Sequence, residues 1–196
     1  MIIYLDTETS GLNPGQICQL SYILQDGTKV KAKNFFFDVD YVEFGAYMVH
    51  GFSVEKLRVL SCGLGFNNHF QEIEKDFNSA DVICAHNTSF DFKFLSKEFE
   101  RCGSMFLPKE QFCTMKNSIT ACKLPRTNSR GYKYPKLAEL CSFLGVSDSQ
   151  ISQTTTKLFG SQAGYHDARF DTTALFISTN KGVQTINEFA VLQKYL

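Results

Sequence analysis

At 196 residues, with 43% apolar side chains and 19 phenylalanines, the chain can bury one full hydrophobic core and is too apolar to be disordered. Its 20 basic and 20 acidic residues cancel, which argues against a protein that grips duplex nucleic acid along a long backbone footprint. The start, MIIYLDTETSG, reaches an acid at Asp6 before it could form a secretion signal, and no stretch approaches 18 uninterrupted apolar residues, so a soluble cytoplasmic protein with no membrane partner is expected.

MIIYLD is short, apolar and β-branched at its start, and predicts a buried strand. Gly11, Asn13, Pro14 and Gly15 make a turn, and QICQLSYIL resumes with strand-like alternation. The DG pair at 26–27 signals a hairpin into a third strand, roughly KVKAKNFFFDV. Phe66, Phe70, Ile73 and Phe77 then recur at helical spacing. ADVICAH predicts a further strand, and Phe92, Leu95, Phe99 and Cys102 mark one stripe of the helix after it; that passage implies a parallel strand in the same sheet. PKLAELCSFLG predicts a helix stopped by Gly145, and AGYHDARFDTTALFISTNKG a helix from about Asp167 to Gly182. Residues 124–135, rich in Pro, Asn, Ser, Gly and Tyr, predict a mobile flap.

Two compositional features bear on partners. Seven cysteines form no CxxC pair and sit mostly in apolar company, as expected of reduced packing residues in a reducing compartment. The neutral charge also hides an asymmetry: residues 1–110 carry 10 basic and 15 acidic residues, and residues 111–196 carry 10 and 5. No acid lies between Glu110 and Glu139, while Lys116, Lys123, Arg126, Arg130, Lys133 and Lys136 do. That stretch suits a short contact with phosphates, or else a solvated loop.

The chemistry is carried by acids beside buried apolar segments, because an unpaired buried carboxylate is costly. Asp6 and Glu8, two residues apart on an extended chain, share one face of the first strand. Asp91 begins the helix after the fourth strand, and Asp171 lies about one turn inside the helix that follows His166. Carboxylates gathered at one end of a sheet repel one another unless a divalent cation holds them, and Mg²⁺ and Mn²⁺ prefer oxygen ligands. Four such groups with one histidine suit hydrolysis of a phosphodiester by two ions roughly 3.5–4 Å apart. His166, with an ordinary imidazole pKa of about 6.5, can take the proton of the attacking water. Singly, Asp91 could be a helix N-terminal acid and His166 a surface residue; jointly, their order and placement are hard to obtain by chance.

LDTETSGL at 5–12, AHNTSFD at 85–91 and YHDARFD at 165–171 stand in the order of the three motifs of the DEDDh family of 3′→5′ exonucleases, which this sequence resembles. The family belongs to the ribonuclease H-like superfamily and includes the proofreading subunit of bacterial DNA polymerase III, ribonuclease T and oligoribonuclease. The resemblance implies an α/β fold with a central mixed five-stranded sheet, its first three strands antiparallel, flanked by helices. It implies an exonuclease domain over 1–182, with 183–196 as a helical or extended tail of the same unit. Asp6, Glu8, Asp91 and Asp171 would hold two Mg²⁺ or Mn²⁺ ions, and His166 would be the general base. Thr7, Leu12, Met48, His50, Asn87 and Phe90 would contact or support the terminal nucleotides. The implied substrate is the 3′ end of single-stranded DNA, with RNA as the alternative, and a DNA polymerase or repair protein is the candidate partner. A binding or scaffold module without activity is the other reading, against which all five catalytic residues are present.

Overall fold

The computed structural model of the chain describes residues 1–127 and 129–196. β1 (Ile2–Thr9) is the centre of a five-stranded sheet. It pairs antiparallel with β2 (Ile17–Asp26), which pairs antiparallel with β3 (Lys29–Phe36). On its other side it runs parallel to β4 (Val82–Ala85), which runs parallel to β5 (Gln111–Cys113), giving the order β3-β2-β1-β4-β5. The hairpin forms where the DG pair predicted it. Asp26 closes the ladder opposite Lys29, and Gly27 takes the left-handed conformation at φ 57°, which a side chain would resist.

Alternation along β1 divides the core in two. Ile3 and Leu5 face one layer, with Phe94, Leu95 and Phe99, built on α3 (Phe66–Ser79) and α4 (Thr88–Arg101). Ile2 and Tyr4 face the other, with Leu140 of α7 (Leu137–Phe143) and Leu175 of α9 (Ala168–Gly182). The buried face of α4 consists of Thr88, Asp91, Phe94, Leu95, Glu98 and Phe99. The expected stripe is thus rotated: Phe92 is only partly buried, against Phe106, and Cys102 caps the helix end.

Several elements leave no clear mark in the sequence. α1 (Phe44–His50) and α2 (Val54–Leu60) are short and partly exposed, so no full apolar stripe marks them. α5 (Thr114–Asn117) and α6 (Ile119–Cys122) are single turns after β5. α8 (Asp148–Phe159) reads as Ser, Thr and Gln; it is capped by Ser147, whose side chain accepts from the Gln150 N–H, and buries only Ile151 and Thr155. The last residues form a 3₁₀ stretch, Asn187–Tyr195, whose Phe189 and Leu192 enter the second core. Phe189 lies so close to Gly182 that a Cβ there would strike its ring.

Residues 124–135 are tied down at several points. Pro125 bridges to Tyr132, the Lys133 N–H donates to Leu124 O at 2.8 Å, and Pro135 O lies 2.9 Å from Nε2 of His86; Asn128 lies outside the described residues. Four cysteines are buried as expected, but Cys62 is exposed and Cys102 and Cys122 are half-buried; all seven are free. Among the described residues, no helix is long and apolar enough to cross a membrane.

Candidate active site

The site grows out of the two faces of β1. Positions 2 and 4 are core on the α9 side, and positions 6 and 8 continue the same alternation to the strand's C-terminal end, so Asp6 and Glu8 point where Ile2 and Tyr4 point. Asp171, in the first turn of α9, meets them there. One carboxylate oxygen from each of Asp6, Glu8 and Asp171 lies within 4.8 Å of the other two. This all-oxygen set of hard donors fits a divalent cation such as Mg²⁺ or Mn²⁺.

The electrostatics fit as well. Burial first, then the charges of Asp171, Asp91, Glu8 and Asp167, push the Asp6 carboxyl well above the usual range. Burial, with Asp171, Asp167 and Asp91 behind it, pushes Glu8 up to about 9. Asp171 rises to about 6, chiefly through burial, although the His166 N–H donates to its Oδ2 at 3.1 Å and pulls the other way. Such groups cannot all be ionised at neutral pH without a compensating cation nearby.

Asp91 stands apart from this triad. Thr7, on the opposite face of β1, donates from Oγ1 to Asp91 Oδ1 at 2.9 Å. Asp91 is buried on α4, and burial pushes it up to about 7 against the pull of that hydrogen bond. Of the four expected carboxylates, Asp6, Glu8 and Asp171 offer oxygens within 4.8 Å of one another, and Asp91, held by Thr7 on the α4 side, lies within their electrostatic reach. The imidazole of His166 is likewise outside the triad; its residue is exposed and held at φ 62°, an unfavourable backbone conformation for a side chain.

Beside Glu8 opens a cavity of about 390 Å³ lined by Thr7, Glu8, Leu12, His50 and Phe90 together with Thr9, Gly11, Glu43, Gly45, Ala46 and Val49. Leu12 is 79% exposed at its edge. The ring of His50 is fixed: Nδ1 accepts the Phe52 N–H at 3.0 Å, so Nε2 carries the hydrogen and donates to Thr9 O at 3.2 Å. Burial lowers its pKa and keeps it neutral. Met48 and Asn87 do not line this cavity. Met48 is exposed on α1, and Asn87 serves the backbone, preceding α4 at φ 84°.

Sequence reasoning missed three residues around the site. Asp167 caps α9, accepting from the Arg169 N–H, and is gripped by Arg169 through Nε at 2.8 Å and Nη2 at 2.6 Å. Gln19, fully buried on β2, reaches across to both Asp167 and the Ala168 N–H. An aspartate directly before a helical pattern is a cap signal that could have identified Asp167. A polar residue inside an apolar strand was the only mark of Gln19.

No family model matches the chain. Over 154 residues it is 31% identical to the DNA polymerase III subunit epsilon of Rickettsia felis and 30% identical to that of Rickettsia prowazekii. Each match takes in 75% of this chain and 63% of the relative, so the chain spans less than two thirds of the length of these relatives. Among solved structures, the metal-free form of the E. coli ExoI–ssDNA complex matches with a TM-score of 0.70 over 98% of this chain and 42% of that one, at 16% identity, a likeness of fold. In sequence the chain is thus similar to DNA polymerase III epsilon subunits, and in fold to the ExoI chain.

Proposed function

We propose that the chain is a metal-dependent 3′→5′ exonuclease that removes nucleoside 5′-monophosphates from the end of single-stranded DNA. The observation that carries this reading is the meeting of Asp6, Glu8 and Asp171 within 4.8 Å beside an open cavity. The similarity to polymerase III epsilon subunits supports it.

Asp6, Glu8 and Asp171 would hold one divalent cation, and Asp6 with Asp91, directly or through water, the second. Bound there, the ions supply neutralisation of the phosphate charge and a polarised water. His166 would take the proton of that water as its oxygen forms the new bond to phosphorus. The bond from phosphorus to the 3′ oxygen breaks, and that oxygen, once protonated, becomes the new 3′ hydroxyl. No covalent enzyme intermediate is needed. The backbone around Thr7 and Glu8 would receive the terminal 3′ hydroxyl, and Leu12, at the cavity edge, would lie against the last bases. His50 and Phe90 would line the terminal-nucleotide pocket, with Met48 at its exposed approach and Asn87 supporting the turn before α4. The exposed Lys123, Arg126, Arg130 and Lys136, with Tyr132 and Tyr134 among them, follow α6 and would suit an upstream single strand.

The test is to incubate 5′-labelled single-stranded DNA, duplex DNA and single-stranded RNA of one sequence with Mg²⁺ or Mn²⁺, and with EDTA. The reading expects a ladder shortening from the 3′ end, fastest on single-stranded DNA and absent with EDTA. Faster loss of RNA would move the substrate class, and cleavage that survives EDTA would remove the metal from the reaction.

A further inference from the structure

Glu8 and Gln19 are direct partners across the antiparallel β1–β2 ladder, as are Asp6 and Ser21. Side chains of such pairs project from the same face, so Gln19 stands beside Glu8 on the α9 side of the sheet. Its amide is used completely. Oε1 accepts the Ala168 N–H at 3.1 Å, while Nε2 donates to Asp167 Oδ1 at 2.9 Å and to Asn34 Oδ1 at 2.7 Å. Two positions further along the strand, Ser21 O accepts from Thr172 Oγ1 at 3.1 Å. The residues of β2 that face the two carboxylates of β1 are thus the ones bonded to the start of α9.

The start of α9 is where the rest of the site is carried. Asp171 lies in its first turn, and His166 sits immediately before its cap. Ala168 is one of the first helical residues, whose N–H groups have no partner within the helix. Gln19 satisfies one of these groups and holds the Asp167 cap with the same amide. Asp167 is otherwise held from its own side of the junction, by Arg169, whose Nη1 also donates to Ser161 Oγ at 2.6 Å. Gln19 therefore ties that cluster to β2 by hydrogen bonds, beside the packing of Arg169 over Phe36 of β3 and the Thr172 bond to Ser21 O.

Resting on the functional reading above, we propose that Gln19 is a positioning residue that sets Asp171 and His166 against Asp6 and Glu8. It touches none of the reacting atoms. Removing its amide lets the first turn of α9 shift relative to β1, which separates the two halves of the cation site. Partners one shell out from metal ligands typically matter by about 10–100-fold in metal affinity.

The test compares the native protein, Gln19→Met and Tyr4→Phe. Tyr4 lies on the same face of β1, deeper in the core, where its hydroxyl donates to Gln25 Oε1 at 2.8 Å; Y4F removes a buried polar link without touching α9's first turn. Mn²⁺ affinity is read by calorimetric titration, and kcat and KM on a single-stranded oligonucleotide alongside it. The expected result is Q19M binding Mn²⁺ about 10-fold or more weakly, with kcat falling and KM little changed, while Y4F keeps native Mn²⁺ affinity and kcat. Native-like Mn²⁺ affinity and kcat in Q19M, or equal losses in Q19M and Y4F, overturn the positioning role and leave the exonuclease reading standing. A native protein that neither binds Mn²⁺ nor cleaves overturns both.

Discussion

Thr7 Oγ1 donates to Asp91 Oδ1 at 2.9 Å from the face of β1 opposite to Asp6 and Glu8, so one strand controls carboxylates on both of its sides. The hydrogen bond opposes the burial that pushes Asp91 up to about 7. Thr7→Val keeps the shape of the side chain and removes the donor, so the Asp91 carboxyl should rise further and be less ionised at neutral pH. Hydrogen bonds to charged groups contribute about 1.5–3 kcal/mol, so T7V should lower kcat about 10-fold or more at pH 7 and recover part of it by pH 9. Thr7→Ser should stay near native. A pH–rate series on the three proteins checks this, and a pH-independent loss in T7V would point to packing alone.

Stability should depend on pH in a direction set by the same carboxylates. Glu8 is pushed up to about 9 and Asp171 to about 6 in the folded chain, whereas unfolded Glu and Asp ionise near about 4. Between those values the folded state binds more protons than the unfolded one, so stability is greatest at low pH and is lost as pH rises through the folded values. Without metal, Tm should therefore fall from pH 5 to pH 9. Added Mn²⁺ competes with protons for the same oxygens, and its gain in Tm should be larger at pH 8 than at pH 5. Thermal melts with Mn²⁺ and with EDTA read both trends; a flat metal-free profile would argue that the acids do not crowd one another.

Asp6→Asn should abolish hydrolysis and yet raise the Tm of the metal-free protein at pH 8. It removes a carboxyl that burial, then Asp171, Asp91 and Glu8, hold back from ionising in the folded chain, whereas in the unfolded chain it ionises freely. For a domain of this size each kcal/mol recovered corresponds to about 2–4 °C. The Tm gain with Mn²⁺ should shrink to near zero. A destabilised D6N protein that keeps its response to Mn²⁺ would contradict the assignment of Asp6.

His166→Ala should reduce kcat by about 10²–10⁴-fold, the ordinary worth of a general base, while KM and Mn²⁺ affinity stay within a small factor. The exposed imidazole is not among the oxygens of the triad, which is why metal binding should survive its loss. Replacement by alanine also leaves the His166 N–H to Asp171 bond in place, so the position of Asp171 is not disturbed through the backbone. Native-rate cleavage by H166A would remove this residue from the chemistry.

What could be read from the sequence was what repeats or alternates. β1, β2 and β4 were legible as apolar runs buried on both faces, α3 by its periodic stripe, and the DG pair announced the β2–β3 hairpin. α8 was not legible, since it is rich in Ser, Thr and Gln and the side chains it fully buries are one isoleucine and one threonine, Ile151 and Thr155. β5 is three residues long and leaves no alternation to detect. Within the site, the partnership of Asp6 and Glu8 follows from strand geometry alone, and Asp171 from its place one turn into a helix. The stand-off of Asp91 could not be seen, because it depends on Thr7 facing the other side of the sheet and finding a helix there. Gln19 was hidden for the opposite reason: its role is defined by atoms almost 150 positions away in the chain.

The central claim is best tested by anomalous diffraction from crystals soaked with Mn²⁺ and a nucleoside 5′-monophosphate. Two anomalous peaks are expected at the C-terminal end of β1, one of them among the oxygens of Asp6, Glu8 and Asp171, with the nucleotide in the cavity beside Leu12 and His50. An empty triad at saturating Mn²⁺, or manganese bound elsewhere while those carboxylates stay bare, would contradict the account.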